Sequence, residues 1–156
     1  MSESDVALTQ RLQRWAEGRT TLKDVRGYSD EELYSIARVG YFFFNQGKLE
    51  QARTVFQGLY AVNPLDGYFA RALGVVEMAS GNPAGALAAY DVALKVSPED
   101  GEAYVGRAEV KLAQGDRAGA TEDLRRAGRV IDPERPLGQK VKALLASLGR
   151  RERTTF

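Results

Sequence analysis

The sequence predicts an all-α solenoid of three helix-turn-helix repeats, and three observations carry that prediction. A glycine recurs every 34 residues, at Gly47, Gly81 and Gly115, each in a polar turn between two apolar stretches. Ala52, Ala86 and Ala120 keep the same interval. Pro64 and Pro98 end the first two units, and Asp132-Pro133 ends the third one residue late. A fixed period of this size is the mark of stacked hairpins, each unable to bury its apolar face alone.

A helix-turn-helix period of about 34 residues is that of the tetratricopeptide repeat, and each shared feature has a physical reason. Gly40, Gly74 and Ala108 sit midway along the first helix of each repeat, where only a small side chain lets two helices approach. The turn glycines suit a backbone with positive φ. Phe56, Tyr90 and Leu124, four residues beyond the repeated alanines, are expected to pack between neighbouring hairpins. The prolines stop each second helix.

Taken in order, residues 5–17 read as an amphipathic helix with Val6, Leu8, Leu12 and Trp15 roughly on one face. Gly18 ends it, and a loop is expected from Arg19 to Tyr28. Ser29 and Glu32 form a capping box that opens the first repeat. Its second helix is expected over Leu49–Val62. The second repeat follows with helices over Gly67–Ser80 and, from the Asn82 cap and Pro83, to Val96. The third has helices over about 101–114 and 117–130. A last helix, Leu137–Leu148, carries Val141, Leu144, Leu145 and Leu148 on one side and closes the apolar end of the stack. The expected organisation is an N-terminal helical segment at 1–32, three repeats at 33–132, a capping helix at 133–149 and a basic, disordered tail at 150–156.

Composition narrows the chemistry. Among 156 residues there are 22 Lys and Arg against 21 Asp and Glu, so the formal charge of +1 gives no case for a general polyanion binder. Neither His nor Cys occurs. The usual general base and the usual zinc, haem and iron–sulfur ligands are therefore missing, and no metal, no cofactor and no catalytic residue is expected. The lack of Cys fits a reducing cytosol. Acidic pairs such as Glu31-Glu32 and Glu99-Asp100 stand at helix starts, where the helix dipole accounts for them. No apolar run reaches the roughly 18–20 residues needed to cross a bilayer, and the N-terminus has no apolar signal core.

A protein of this plan works through its surface, and the first helix of each hairpin lines the inner face. The inward stripe is expected to hold Tyr34, Ala37, Tyr41, Phe44 and Asn45 in the first repeat. Its equivalents are Tyr68, Arg71, Val75 and Met78 in the second, and Glu102, Val105, Glu109 and Leu112 in the third. Helix packing is assigned to Ile36, Val39, Gly40 and Phe43. The first helix is thus apolar all round, and one of its faces is left wanting an apolar partner. That partner is either a segment of another protein or the chain's own N-terminal helix, or a second copy.

The run Thr21-Leu22-Lys23-Asp24-Val25-Arg26-Gly27, followed by Tyr41-Phe42-Phe43-Phe44-Asn45-Gln46-Gly47-Lys48-Leu49, resembles the class II translocator chaperones of bacterial type III secretion, the LcrH/SycD type. So does the plan of N-terminal helix, three repeats and closing helix, over about residues 17–148. The resemblance implies a small cytoplasmic chaperone that keeps hydrophobic pore-forming translocators soluble before export. It implies a concave groove for an extended Pro-x-Leu-x-x-Pro-like client segment, with aromatic positions at Tyr41 and Phe44. It also implies a homodimer through the N-terminal region and, in some members, support of a transcription activator. The alternatives are a tetratricopeptide adaptor in another bacterial assembly and a co-regulator of a transcription activator.

Overall fold

The computed structural model describes residues 2–152, with side chains described as far as Arg150. Among these residues every regular element is an α-helix: α1 Glu3–Ala16, α2 Leu22–Arg26, α3 Asp30–Asn45, α4 Leu49–Val62, α5 Gly67–Ala79, α6 Pro83–Val96, α7 Gly101–Ala113, α8 Arg117–Val130 and α9 Pro136–Glu152. The three predicted hairpins are α3/α4, α5/α6 and α7/α8. No helix among the described residues is long and apolar enough to cross a membrane. The chain forms two compact units, Met1–Ala70 and Arg71–Phe156.

The turns follow from the sequence. Gly47, Gly81 and Gly115 have φ of 72°, 75° and 82°, a left-handed backbone that costs a glycine least. The Ser29 box is formed in both directions: Ser29 N–H donates to Glu32 at 2.8 Å, and Glu32 N–H donates to Ser29 Oγ at 3.1 Å. Asn82 and Asp100 cap α6 and α7 through the N–H groups of Gly85 and Ala103.

The stretch expected as a loop at 19–28 contains α2. Thr21 accepts from Asp24 N–H at 3.3 Å, and Thr21 N–H donates to Asp24 at 3.2 Å. Gly27, at φ 74°, ends the turn with its N–H on the Lys23 carbonyl. Val25 is buried beneath. The Thr-Leu-Lys-Asp-Val-Arg-Gly run is therefore a self-capped helical turn, closed at one end by a hydroxyl–carboxylate pair and at the other by a glycine.

In the first unit α3 packs on α4. The approach is closest at Gly40, where a Cβ would stand 2.8 Å from the Phe56 ring. That contact fixes the inward stripe as Leu33, Ala37 and Gly40, spaced by four and three residues. Ile36 and Val39, expected at packing positions, are instead 43% and 48% exposed. At about 100° per residue, Ile36 and Val39 both fall to one side of the stripe that Gly40 turns inward, about 65° and 125° from its centre. α1 touches α2 and buries none of its residues.

In the second unit α7 packs against both α6 and α8, and α8 against α9. Tyr90 does what the repeat predicts for it and lies between hairpins. A Cβ on Gly74 would come within 2.9 Å of its ring, and one on Gly106 within 2.4 Å. The buried carboxylate of Asp123 on α8 accepts from Arg107 at 2.6 and 2.9 Å and from Lys111 at 2.8 Å, and Arg107 reaches on to Asp91 at 2.7 Å. In α9, Val141 and Leu148 are buried and Leu144 and Leu145 half-buried, so the capping face is as expected. The helix runs on to Glu152, so 150–152 are helical where a disordered tail was expected, and 153–156 lie outside the described residues.

Candidate peptide-binding surfaces

The expected groove residues fall into two groups, one in each unit. In the first, Tyr34 and Tyr41 are seven residues apart on α3, two turns along one face. Tyr68, at the start of α5, stands against both, with ring centroids 5.3 Å from Tyr34 and 6.3 Å from Tyr41. Behind this row lie two fully buried rings. Phe56 meets Tyr41 edge-on at 5.1 Å, and Phe69 lies 5.7 Å from Tyr34 and 5.6 Å from Tyr68. Asp66 holds the row in place: it accepts from the Tyr34 hydroxyl at 2.6 Å and from Tyr68 N–H at 3.0 Å. That hydrogen bond, with some burial, pushes the Tyr34 hydroxyl up to about 12. The Tyr34 phenol is therefore not a proton-transfer group near neutral pH. Three partly exposed tyrosines on a rigid aromatic backing offer slots for apolar side chains and a rim of hydroxyls.

One expected groove residue needs correction. Ala37 is 1% exposed, because it belongs to the Leu33–Gly40 packing stripe and not to the open face. Val105 is 3% exposed, with a helix on either side of α7, and meets the cavity of the second unit only at its edge. Phe44, half-buried, makes none of these ring contacts, and Asn45 is exposed beyond them.

In the second unit Arg71, Val75 and Glu109 surround a cavity of about 210 Å³ together with Glu102, Leu137 and Lys140, and the edges of Val105, Gly106 and Tyr90 form its floor. Ion pairs span it: Arg71 with Asp100 at 2.9 Å and with Glu102, and Lys140 with Glu109. Burial first, and then the Glu109 charge, push the Tyr90 hydroxyl up to about 12. Met78 and Leu112 are half-buried and do not line this cavity. The sequence reading missed Asp66, Phe69, Tyr90 and Lys140 as parts of these surfaces. Tyr90 alone carried a signal, since it occupies the large position between hairpins.

The two surfaces differ in kind. The first is mainly aromatic, with Asp66 beside its rings. The second is small and crossed by paired charges.

Three capped helical hairpins, crossing at small residues and turning at left-handed glycines, define a helical-repeat protein. The chain belongs to the tetratricopeptide repeat family, whose model matches residues 42–95 and again 72–136. No curated protein sequence matches it significantly. Its fold is similar to that of several solved structures. A T3SS complex from Aeromonas hydrophila aligns with a TM-score of 0.80 and 19% identity, over 92% of this chain and 97% of that one. The Yersinia enterocolitica type III secretion chaperone SycD, in complex with a peptide of the translocator YopD, aligns at 0.73 and 24% identity, over 80% and 97%. PcrH, from Pseudomonas aeruginosa, in complex with the chaperone-binding region of PopD, aligns at 0.74 and 22%, over 81% and 97%.

Proposed function

We propose that this chain is a cytoplasmic chaperone of bacterial type III secretion that holds an extended apolar segment of a hydrophobic translocator on the Tyr34–Tyr41–Tyr68 face. The observation that carries the reading is the aromatic row itself, half-exposed and braced from behind by Phe56 and Phe69. Monomeric surfaces rarely leave such a row uncovered without a partner. The similar fold of two chaperones described in complex with translocator segments supports the same reading.

The physics suits a holder that must later let go. A membrane-inserting protein is an aggregation hazard in water. Each of its apolar side chains that becomes fully buried contributes about 1.5–3 kcal/mol. Ordering an extended, previously disordered segment costs about 2–5 kcal/mol, so two or three seated side chains give moderate affinity and a reversible grip.

The test is a titration with a labelled Pro-x-Leu-x-x-Pro peptide. Wild type is expected to bind saturably. Tyr41→Ala/Tyr68→Ala and, separately, the more exposed Tyr34→Ala weaken binding about tenfold or more, consistent with losing one aromatic contact of hot-spot size. Unchanged affinity in both variants, with helicity retained by circular dichroism, refutes the placement. No binding by wild type leaves a tetratricopeptide adaptor for some other assembly.

Self-association through α1 belongs to the same proposal, because Val6, Leu8, Leu12 and Trp15 stand exposed on a helix with no buried residue. Leu12→Asp is expected to shift sedimentation velocity from dimer to monomer. A wild type that sediments as a monomer at every concentration would remove this part.

A further inference from the structure

We propose a second docking site, in the second unit between α8 and α9, for an acidic peptide segment with an apolar anchor. The groove there has a volume of about 360 Å³. Its floor is apolar, formed by Ile131, Val141 and Leu145, and its rim is three cations, Arg125 and Arg129 on α8 and Lys142 on α9. No carboxylate among the described residues lines it. That separates it from the other cavity of the same unit, where Arg71 and Lys140 are each matched by an acid.

Two of the three rim charges are also uncommitted. Arg125 and Arg129 make no ion pair among the described residues, while their neighbour Arg126 is taken by Glu122 at 3.1 Å. Lys142 has only a loose exposed pairing with Glu134 at 3.7 Å. Gly128 is also part of the lining. A Cβ on Gly128 would stand over Val141 at 3.7 Å, between the two arginines. From Arg117 onward basic residues outnumber acidic ones, although the whole chain is nearly neutral.

Charge complementarity selects the occupant. Arg pairs carboxylates with a planar fork of donors, and an apolar floor of this size takes one or two side chains. A duplex or a flat lipid surface would use the cations but leave the floor empty. An acidic segment carrying one Phe or Leu satisfies both.

The probe is a fluorescein-labelled Asp-Glu-Asp-Phe-Leu-Glu-Asp-Glu peptide, followed by anisotropy with the full chain. Wild type is expected to bind saturably and to weaken about tenfold between low salt and about 0.3 M. Arg125→Glu/Arg129→Glu, both exposed, is expected to weaken binding at least about tenfold, as charge reversal at a recognition rim does. Arg126→Glu leaves it unchanged. A probe with Ser-Ser in place of Phe-Leu also loses about tenfold. Tyr41→Ala/Tyr68→Ala binds the acidic probe like wild type, so failure here and failure of the translocator site are separate results. The proposal is overturned if wild type does not bind, if Arg125→Glu/Arg129→Glu binds as tightly as wild type, or if the Ser-Ser probe binds equally well. It is also overturned, in favour of a membrane surface, if only phosphatidylserine vesicles bind.

Discussion

Phe56→Ala is expected to lower the unfolding free energy by about 3–5 kcal/mol, the usual cost of removing a fully buried phenylalanine. Its ring is completely inaccessible, lies against the α3 backbone at Gly40, and backs Tyr41 at 5.1 Å. The loss therefore falls at once on the α3/α4 hairpin and on the aromatic face. The contact can be dissected. Gly40→Ala alone places a methyl 2.8 Å from the ring and should cost about 1–3 kcal/mol by overpacking. In a Phe56→Leu background the clashing ring atoms are absent, so the same methyl should cost markedly less. Urea unfolding of the four proteins, followed by circular dichroism, gives the coupling energy. Strict additivity would show that the two positions do not meet.

Asp123→Ala should destabilise the second unit by about 3 kcal/mol at neutral pH. It leaves Arg107 and Lys111 facing a buried site without their shared acceptor. Burial pushes the Asp123 carboxyl upward, but the hydrogen bonds and charges of Arg107 and Lys111 outweigh it and hold the group below the usual carboxylate range. The native state thus binds the proton less readily than the unfolded chain does. The stability this carboxylate provides is complete above the unfolded value near pH 4. It drains away as the pH falls through the lower native value. Asp123→Asn should follow wild type at low pH and fall below it as the pH rises through that window. A stability difference between the two proteins that stays constant from about pH 2 to pH 7 would contradict the assignment.

The repeat was legible because its signals are local and recur: a turn glycine, a small crossing residue, a capping side chain. Inward and outward faces of α3 were not. Leu33, Ile36, Val39, Tyr41 and Phe43 surround that helix with apolar side chains, so hydropathy does not choose a side. Gly40 chooses, since only the stripe through Gly40 lets Phe56 approach, and Ala37 goes inward with it. The turn at α2 was too short for periodicity, although Thr21 and Asp24 have capping-box spacing. Asp123 reads as one more surface acid, because its partners are 12 and 16 residues away and meet it only when α7 and α8 cross. Asp66 is the same case: its link to Tyr34 spans 32 residues.

The bare helix α1 has a consequence in time. It is 14 residues long, closed by a Ser2–Asp5 capping box, and contributes nothing to the core. Helices of this length are marginal in water unless something packs on them. Its amide protons should therefore exchange orders of magnitude faster than those of α4 or α7, through openings that leave the rest of the chain intact. Whatever covers Leu12 and Trp15 would slow that exchange in proportion to its own occupancy. The first segment of the chain would thus act as a clock, read in hydrogen exchange, for how much of the protein is engaged.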